Sequence, residues 1–356
     1  MRIGIDARKI MDSGIGRYIS NLVENLLKVE SSHHYTLFLS PLDMNAFDYP
    51  SDRVAKIAEH SGKYSIAEHW TLAAAANGMK LDLFHAPHYV LPYFLKVPPV
   101  VTVHDIIHVT DPGYGFMARN YARMMIGSAV CRARKIIAVS GHTKERLVNV
   151  VNAPEDKIKV IHNGVGDFHR TAEGEINAIL GRMGIKPGYF LFTGSDRPHK
   201  NLGAVAGVME ILKDSQFVIA GRILEDSRRR FEKLGNKAMF FGNVSKEEMQ
   251  ALYSGARALL FPSYDEGFGL PPLEAMACGV PVVASSRAPM PEILGDAAMM
   301  ADPDDHKTMA DALVKIVSEP AFREAMVARG FERLKMFSWE KMAIATLQTY
   351  EEAARS

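Results

Sequence analysis

Residues 258–285 read ALLFPSYDEGFGLPPLEAMACGVPVVAS. This stretch predicts a strand at Ala258–Phe261, a loop carrying two glycines at Pro262–Leu270, a helix opened by Pro271 and Pro272, then Gly279 and a second strand at Val280–Ala284. A strand–helix–strand crossover this short means parallel strands. Parallel sheets put ligands beyond the carboxyl ends of their strands, where a helix N-terminus offers unpaired N–H groups and the positive end of a dipole. The loop is therefore expected to hold an anion or a sugar hydroxyl.

Two carboxylates bracket the loop: Glu266, ahead of Gly267-Phe268-Gly269, and Glu274, on the helix. Their spacing alone distinguishes nothing, because Glu324/Glu332 and Glu332/Glu340 share it in plain helical sequence. Context does more. The glycines allow close backbone approach, the prolines fix the helix start, and both acids are expected to face the crevice. A solvated loop acid and a helix-face acid are the alternative that the residues alone leave open.

The run EGFGLPPLEAMACGVPVVAS, Glu266 to Ser285, resembles the donor-site signature of the family 4 retaining glycosyltransferases. The resemblance implies an α/β chain of the GT-B fold, with two Rossmann-like doubly wound domains facing across a cleft and a C-terminal helix crossing back to the N-terminal domain. It also implies that Glu274 accepts hydrogen bonds from ribose hydroxyls and Glu266 from donor-sugar hydroxyls, with Gly267, Phe268, Gly269 and Leu270 completing the donor loop. The signature is most like that of bacterial polysaccharide mannosyltransferases, which implies GDP-mannose as donor. UDP-glucose and related donors stay open.

The chain has 356 residues, enough for two domains with separate cores; 47% are hydrophobic and 23% charged, as in ordinary soluble proteins. A net charge of +1 gives no global pull toward nucleic acid or an anionic membrane. Two cysteines, Cys131 and Cys278, lie in apolar helical contexts and read as buried free thiols of a reducing compartment. MRIGIDARKIMDSG lacks the apolar core of a signal peptide, and no apolar run is long enough to span a bilayer. A cytoplasmic protein is expected.

The N-terminal domain is expected over 1–166. Arg2–Ala7 reads as a buried strand, Ser13-Gly14-Ile15-Gly16 as a glycine turn, and Arg17–Val29 as an amphipathic helix. Gly14 and Gly16 either make a tight turn or let backbone amides approach the acceptor side of a cleft. Further strands read at Tyr35–Leu39, Leu81–His85, Val100–His104 and Lys135–Val139. His104 and Asp105 close the third of these. A histidine satisfied by neighbouring backbone is one reading; the family's cleft-facing histidine, near the donor sugar, is what the resemblance implies. Asp105 either orients that ring or caps the turn.

No acidic residue lies between Asp111 and Glu145, whereas Arg119 and Arg123 stand one helical turn apart beside Phe116, Tyr121 and Met124. This is a solvated helix face, or a surface that touches an anionic membrane carrying a lipid-linked acceptor. Ser140 reads as a helix N-cap with Thr143 in the first turn, and Asn163-Gly164 as the turn that ends the domain. Residues 166–186 suit a linker plus a short helix.

The second domain, expected over 167–338, restarts with the strand Tyr189–Thr193 and the turn Gly194 to Asn201. Arg197 and Lys200 suit a diphosphate, as a fork and a point charge. Relatives commonly read E-P-R-K-N here; His199 takes the arginine position, which leaves open whether Arg197 or His199 partners Lys200. Strands follow at Phe217–Ala220 and Ala238–Phe241, the latter leading to Asn243 and Val244, whose family counterparts meet the nucleobase edge. Pro291 to Ala298 matches the family pattern and is expected to support the site. Asp302-Pro303-Asp304 spells a metal-binding D-x-D, but before a helix it reads better as N-terminal capping, so no metal and no cofactor beyond the donor are expected. The last helix, with Trp339, Met342, Leu347 and Tyr350 in its apolar stripe, is expected over 339–356 against the first domain.

The expected activity is hexosyl transfer from a nucleotide sugar to a saccharide or lipid-linked acceptor, with Lys200, Glu266 and His104 closest to the chemistry. Two rivals stay open: a nucleotide-sugar epimerase of the same architecture, and a non-catalytic sugar-nucleotide binder.

Overall fold

Every strand pairing among the described residues is parallel. The computed structural model describes residues 1–29, 31–46, 49, 51–166, 168–233 and 238–355. The chain divides into two units: Met1–Gly164 with Ser338–Ser356, and Val165–Phe337.

In the first unit the strands are β1 (Arg2–Asp6), β2 (His34–Leu39), β3 (Val54–Ala58), β4 (Leu83–Ala86), β5 (Pro99–Val103), β6 (Lys135–Ala138) and β7 (Ile158–Val160), in the sheet order β3-β2-β1-β4-β5-β6-β7. The second unit holds β8 (Tyr189–Thr193), β9 (Phe217–Ala220), β10 (Ala238–Phe241), β11 (Ala256–Phe261), β12 (Val282–Ser285) and β13 (Met299–Ala301), in the order β10-β9-β8-β11-β12-β13. Both are doubly wound Rossmann-like sheets. Central strands such as FVIA and VVAS are buried along their whole length, because helices cover both faces. Sequence reading missed β3, β7 and β13. All are edge strands, short and partly exposed: lysine interrupts the apolar run in β3 and β7, and β13 is only three residues long.

The first helix corrects an expectation. It spans Ser13–Lys28, so Gly14 and Gly16 lie in its first turn rather than in a loop before it. Gly16 is needed for packing: a Cβ there would stand 2.1 Å from the Ile10 carbonyl oxygen. Tyr18, Ile19, Leu22, Val23 and Leu26 of this helix share a core with Trp339, Met342, Ala343, Leu347 and Tyr350 of the C-terminal helix Trp339–Arg355. That shared core holds the chain's last segment in the first unit, at about 1.5–3 kcal/mol for each large apolar side chain buried.

Residues 166–186 hold a short helix, as expected. It spans Glu173–Arg182, buries Ile176, Ile179 and Leu180 and packs on Lys246–Gly255. The cysteines differ from each other: Cys278 is buried but Cys131 is exposed, on the outer side of Phe116–Arg132.

In each sheet the winding reverses once, between β1 and β4 in the first unit and between β8 and β11 in the second. Beyond the carboxyl ends of those strand pairs the neighbouring connections leave in opposite directions and open a crevice.

Candidate active site

In the second unit, the turn after β8 and the loop after β11 meet at this reversal. The backbone N–H of Tyr264 donates to the His199 carbonyl at 2.7 Å. Lys200 Nζ lies 2.6 Å from Glu266 Oε1. The pair is mostly buried, with side-chain exposures of 19% and 11%, so neither charge is cancelled by solvent alone. Glu274 sits on the helix Leu270–Ala277, buried, and its Oε2 accepts a 2.9 Å hydrogen bond from the Tyr253 hydroxyl.

Gly269 precedes that helix with φ +91°, a conformation L side chains rarely adopt, and a Cβ there would stand 2.4 Å from Met290 Cε. Gly267 and Phe268 are buried in the same loop, and Phe268 packs edge-on against Phe337. Pro271 and Pro272 occupy the first helical turn, as read from sequence, and Gly269 supplies no side-chain cap. Leu270 opens the helix, and because Pro271 and Pro272 carry no N–H, the helix start offers a ligand its dipole end and the Leu270 N–H rather than a full set of amides. Met290, just before Pro291, is the contact by which that segment supports the loop.

Two residues that sequence reading passed over belong here. Thr193, the last residue of β8, and Ser263, just after β11, bury hydroxyls that have no hydrogen-bond partner among the described residues. Buried polar groups are nearly always satisfied, so a pair of orphans at adjacent strand ends marks where ligand atoms belong. Tyr253 was missed as well, because nothing in a helix interior signals that its hydroxyl reaches Glu274.

The remaining candidates are spread along the same carboxyl edge. Arg197 is exposed in the turn after β8; Asn243, exposed, and Val244, half-buried, follow β10. Asp302 and Asp304 pair with Arg287, and the helix His306–Ser318 is capped by Asp305, which accepts from Thr308 N–H. The capping reading therefore holds for the turn but falls one residue later than the D-x-D itself. Among the described residues no group of three or more metal-ligating side chains comes together.

In the first unit the reversal between β1 and β4 carries a buried polar cluster that the sequence did not announce. Arg8 pairs with Asp6 at 2.7 Å and with Glu68 at 2.8 Å, and His88 Nε2 lies 2.9 Å from Asp6 Oδ2. Burial works to raise the Asp6 pKa, but Arg8 and His88 overcome it and hold the carboxyl well below the usual range. Lys9 is buried beside them with its ammonium on the Tyr64 hydroxyl and over the Tyr64 ring; burial brings it down to about 8, against the pull of Asp6, Asp12 and Glu68.

His104 follows β5, and its Nε2 donates to the Pro87 carbonyl at 3.1 Å while its ring edge meets Tyr18. Burial pushes its pKa down to about 4 against that carbonyl's opposing pull, so the ring is neutral at pH 7 with Nδ1 unprotonated. Both readings of this histidine are thus compatible: backbone fixes the ring, and the other nitrogen stays able to accept. Asp105 does not orient the ring through Nε2; its Oδ1 accepts from Ile107 N–H and closes the turn. Gly14 is exposed at the start of Ser13–Lys28 with open space around it, whereas Gly16 is closed off by Ile10 and its N–H already donates to Asp12. Gly16 therefore serves helix packing rather than a ligand.

Arg119 and Arg123 lie on the helix Phe116–Arg132 and donate to the carbonyls of Val109 and Val150. Phe116 and Met117 are 80% and 84% exposed beside them, and Tyr121 and Met124 are exposed too. No described helix is long and apolar enough to cross a membrane.

Two doubly wound parallel sheets, each with buried charge at its reversal point, are the architecture of the GT-B fold. Comparison with known proteins agrees: residues 13–167 match the model for Glycosyltransferase Family 4, and 182–333 that for Glycosyl transferases group 1. An uncharacterized glycosyltransferase of Methanocaldococcus jannaschii is 31% identical over 76% of this chain and 75% of its own. The O-antigen chain mannosyltransferase B of Escherichia coli is 28% identical over 95% of this chain and 96% of its own. Among solved structures, sucrose-phosphate synthase from Thermosynechococcus elongatus superposes with a TM-score of 0.80 at 22% identity, covering 99% and 98% of the two chains. HepE from Anabaena, in complex with UDP-glucose, gives 0.77 at 16% identity over 98% and 99%. The chain belongs to the family 4, group 1 glycosyltransferases, and it is a glycosyltransferase.

Proposed function

We propose that the protein transfers a mannosyl group from GDP-mannose, with retention at the anomeric carbon, to a saccharide or lipid-linked saccharide in polysaccharide assembly. The observation that carries this reading is the Lys200–Glu266 pair at the β8/β11 reversal, with Glu274 on the adjoining helix. The mannosyl assignment is supported by the relatives named O-antigen mannosyltransferases.

In this reading Lys200 and Arg197 neutralise the departing diphosphate, helped by the positive dipole end of Leu270–Ala277. Glu274 accepts from the ribose hydroxyls, Glu266 from the sugar, and the turn at Asn243 and Val244 meets the base. His104 contacts the transferred sugar in this reading, and Gly14 and Asp105 belong to the acceptor side. The bond from C1 to the diphosphate oxygen breaks as the bond from C1 to the acceptor oxygen forms. The acceptor's proton passes to the leaving diphosphate. No protein nucleophile is assigned, and the acceptor attacks from the leaving-group side. The reading requires no metal.

The exposed Phe116, Met117 and Met124 with Arg123 suit peripheral contact with an anionic membrane on its cytoplasmic face. A second donor is favoured by one observation, the likeness to a fold neighbour solved with UDP-glucose. Thermal shifts with GDP, UDP and their sugars, followed by assay of nucleoside diphosphate release with the stabilising donor, test the reading. Stabilisation by GDP-mannose and release matched by glycosylated product are expected. A chain that none of these nucleotides stabilises is not the enzyme proposed.

A further inference from the structure

The second unit has a pocket of about 520 Å³ that lies away from the carboxyl ends of its strands. Its lining includes Gly188, just before β8, and Ala256 and Arg257, the first residues of β11. It therefore opens at the amino ends of the two central strands. A five-residue strand separates those ends from the Lys200 turn, a distance of roughly 15 Å at the rise of an extended chain.

Three arginines line the pocket: Arg170, Arg257 and Arg323. None of their guanidinium groups makes an ion pair or hydrogen bond among the described residues, and Glu173, the carboxylate in the lining, pairs with none of them. Arg323 is half-buried, and its pKa is lowered by burial and by the neighbouring charge of Arg170. Three like charges gathered into one concavity repel one another, offset in part at Arg323 by the nearby Glu324. A folded chain tolerates that readily where an anion completes the set. The buried Thr171 hydroxyl lines the same wall; it accepts from Gln250 and from Ser254, which leaves its own proton to donate to an anion oxygen.

We propose that this pocket is a binding site for a phosphate-bearing small molecule, separate from the turn that carries Lys200. The pocket's volume suits a sugar phosphate or a molecule of similar size. Its wall includes Ser254, the residue after Tyr253, whose hydroxyl holds Glu274.

Inorganic phosphate is the probe, titrated by calorimetry into the full-length chain, into Arg257→Ala/Arg323→Ala, and into Lys200→Ala. Binding is expected to survive Lys200→Ala and to weaken at least tenfold in the double arginine variant. Arg257→Lys/Arg323→Lys should fall between, because charge without the guanidinium fork holds phosphate less well. Should the double variant not fold, Arg257→Ala alone, which alters an exposed side chain, should still weaken binding several-fold. Equal affinity in the folded arginine variants overturns the proposal, and so does loss of all phosphate binding in Lys200→Ala.

Discussion

Lys200 and Glu266 stand 66 residues apart in sequence and meet at 2.6 Å, each from the connection that follows a central strand. The pair does two things. It ties the two connections together, and in the proposed reaction it supplies the ammonium that meets the departing diphosphate. Lys200→Ala should therefore lower kcat/KM at least about a hundredfold, the usual cost of removing one preorganised charge from a transition state. Glu266→Gln should lose less, because an amide still accepts a hydrogen bond. Initial-rate kinetics on the two single variants and the double give the coupling, expected at about 0.5–3 kcal/mol. Strictly additive effects would mean the two side chains act independently.

Glu274 accepts a hydrogen bond from the Tyr253 hydroxyl, which reaches it from the neighbouring helix Lys246–Gly255. Tyr253→Phe removes one hydrogen bond to a buried carboxylate, a loss of about 1.5–3 kcal/mol of local interaction. The expected result is a donor KM raised several-fold with kcat little changed, since ribose contacts are made equally in ground and transition states. A kcat that falls while KM stays constant would place Tyr253 in the chemistry instead.

Gly14 and Gly16 should separate cleanly. Gly16→Ala drives a Cβ to 2.1 Å from a backbone oxygen, and the helix must shift, costing about 2 kcal/mol or more. Gly14→Ala meets open space inside a first helical turn and should stabilise by about 0.5–1 kcal/mol. Denaturant titration checks both. If Gly14→Ala is stable yet slow, the position faces acceptor; if it is stable and fully active, its place in the acceptor site is lost.

The donor-side arrangement was legible because its residues sit at points where chain geometry forces a choice. Gly269 needs φ +91°, and the prolines can stand only at a helix start, so motif and conformation coincide. The Asp6–Arg8–Glu68–His88 cluster was not legible. Its members come from β1, from the segment after β4 and from the helix Glu68–Asn77, and nothing local says that Arg8 is buried; only the sheet order brings them together. Thr193 and Ser263 were hidden for another reason. An unsatisfied hydroxyl is a property of surroundings, and sequence records none. Cys131 shows the opposite error, since an apolar neighbourhood along a helix does not say which side of the helix faces water.

The helix Phe116–Arg132 offers a test that is independent of catalysis. Phe116→Ser/Met117→Ser removes two side chains exposed to 80% and 84%, with little packing to lose. Stability should stay within about 0.5 kcal/mol. Co-sedimentation with vesicles containing anionic lipid should fall several-fold, and further with Arg123→Glu. Wild-type protein that stays in the supernatant at low salt would remove the membrane reading altogether.

His85 makes the first unit acid-sensitive. It is fully buried, with Nε2 at 2.8 Å from Thr102 Oγ1 and Nδ1 at 2.6 Å from the Tyr350 hydroxyl, so the neutral ring is satisfied on both sides. Burial first, then the nearby His88 and His104, push its pKa down to about 3 from an ordinary 6.5, while Asp6 pulls the other way. Between those values the unfolded chain binds a proton that the folded chain refuses. Stability from this group is thus full above about pH 6.5 and is lost progressively as pH falls toward 3. At pH 5 the loss is about 2 kcal/mol for one such histidine, and His104, shifted in the same direction, adds to it. Melting curves at pH 7.5 and 5.0 should show the drop, and His85→Gln, less stable at pH 7.5, should show a smaller one. If the variant loses as much between the two pH values as the parent does, the buried histidine is not what makes the fold sensitive to acid.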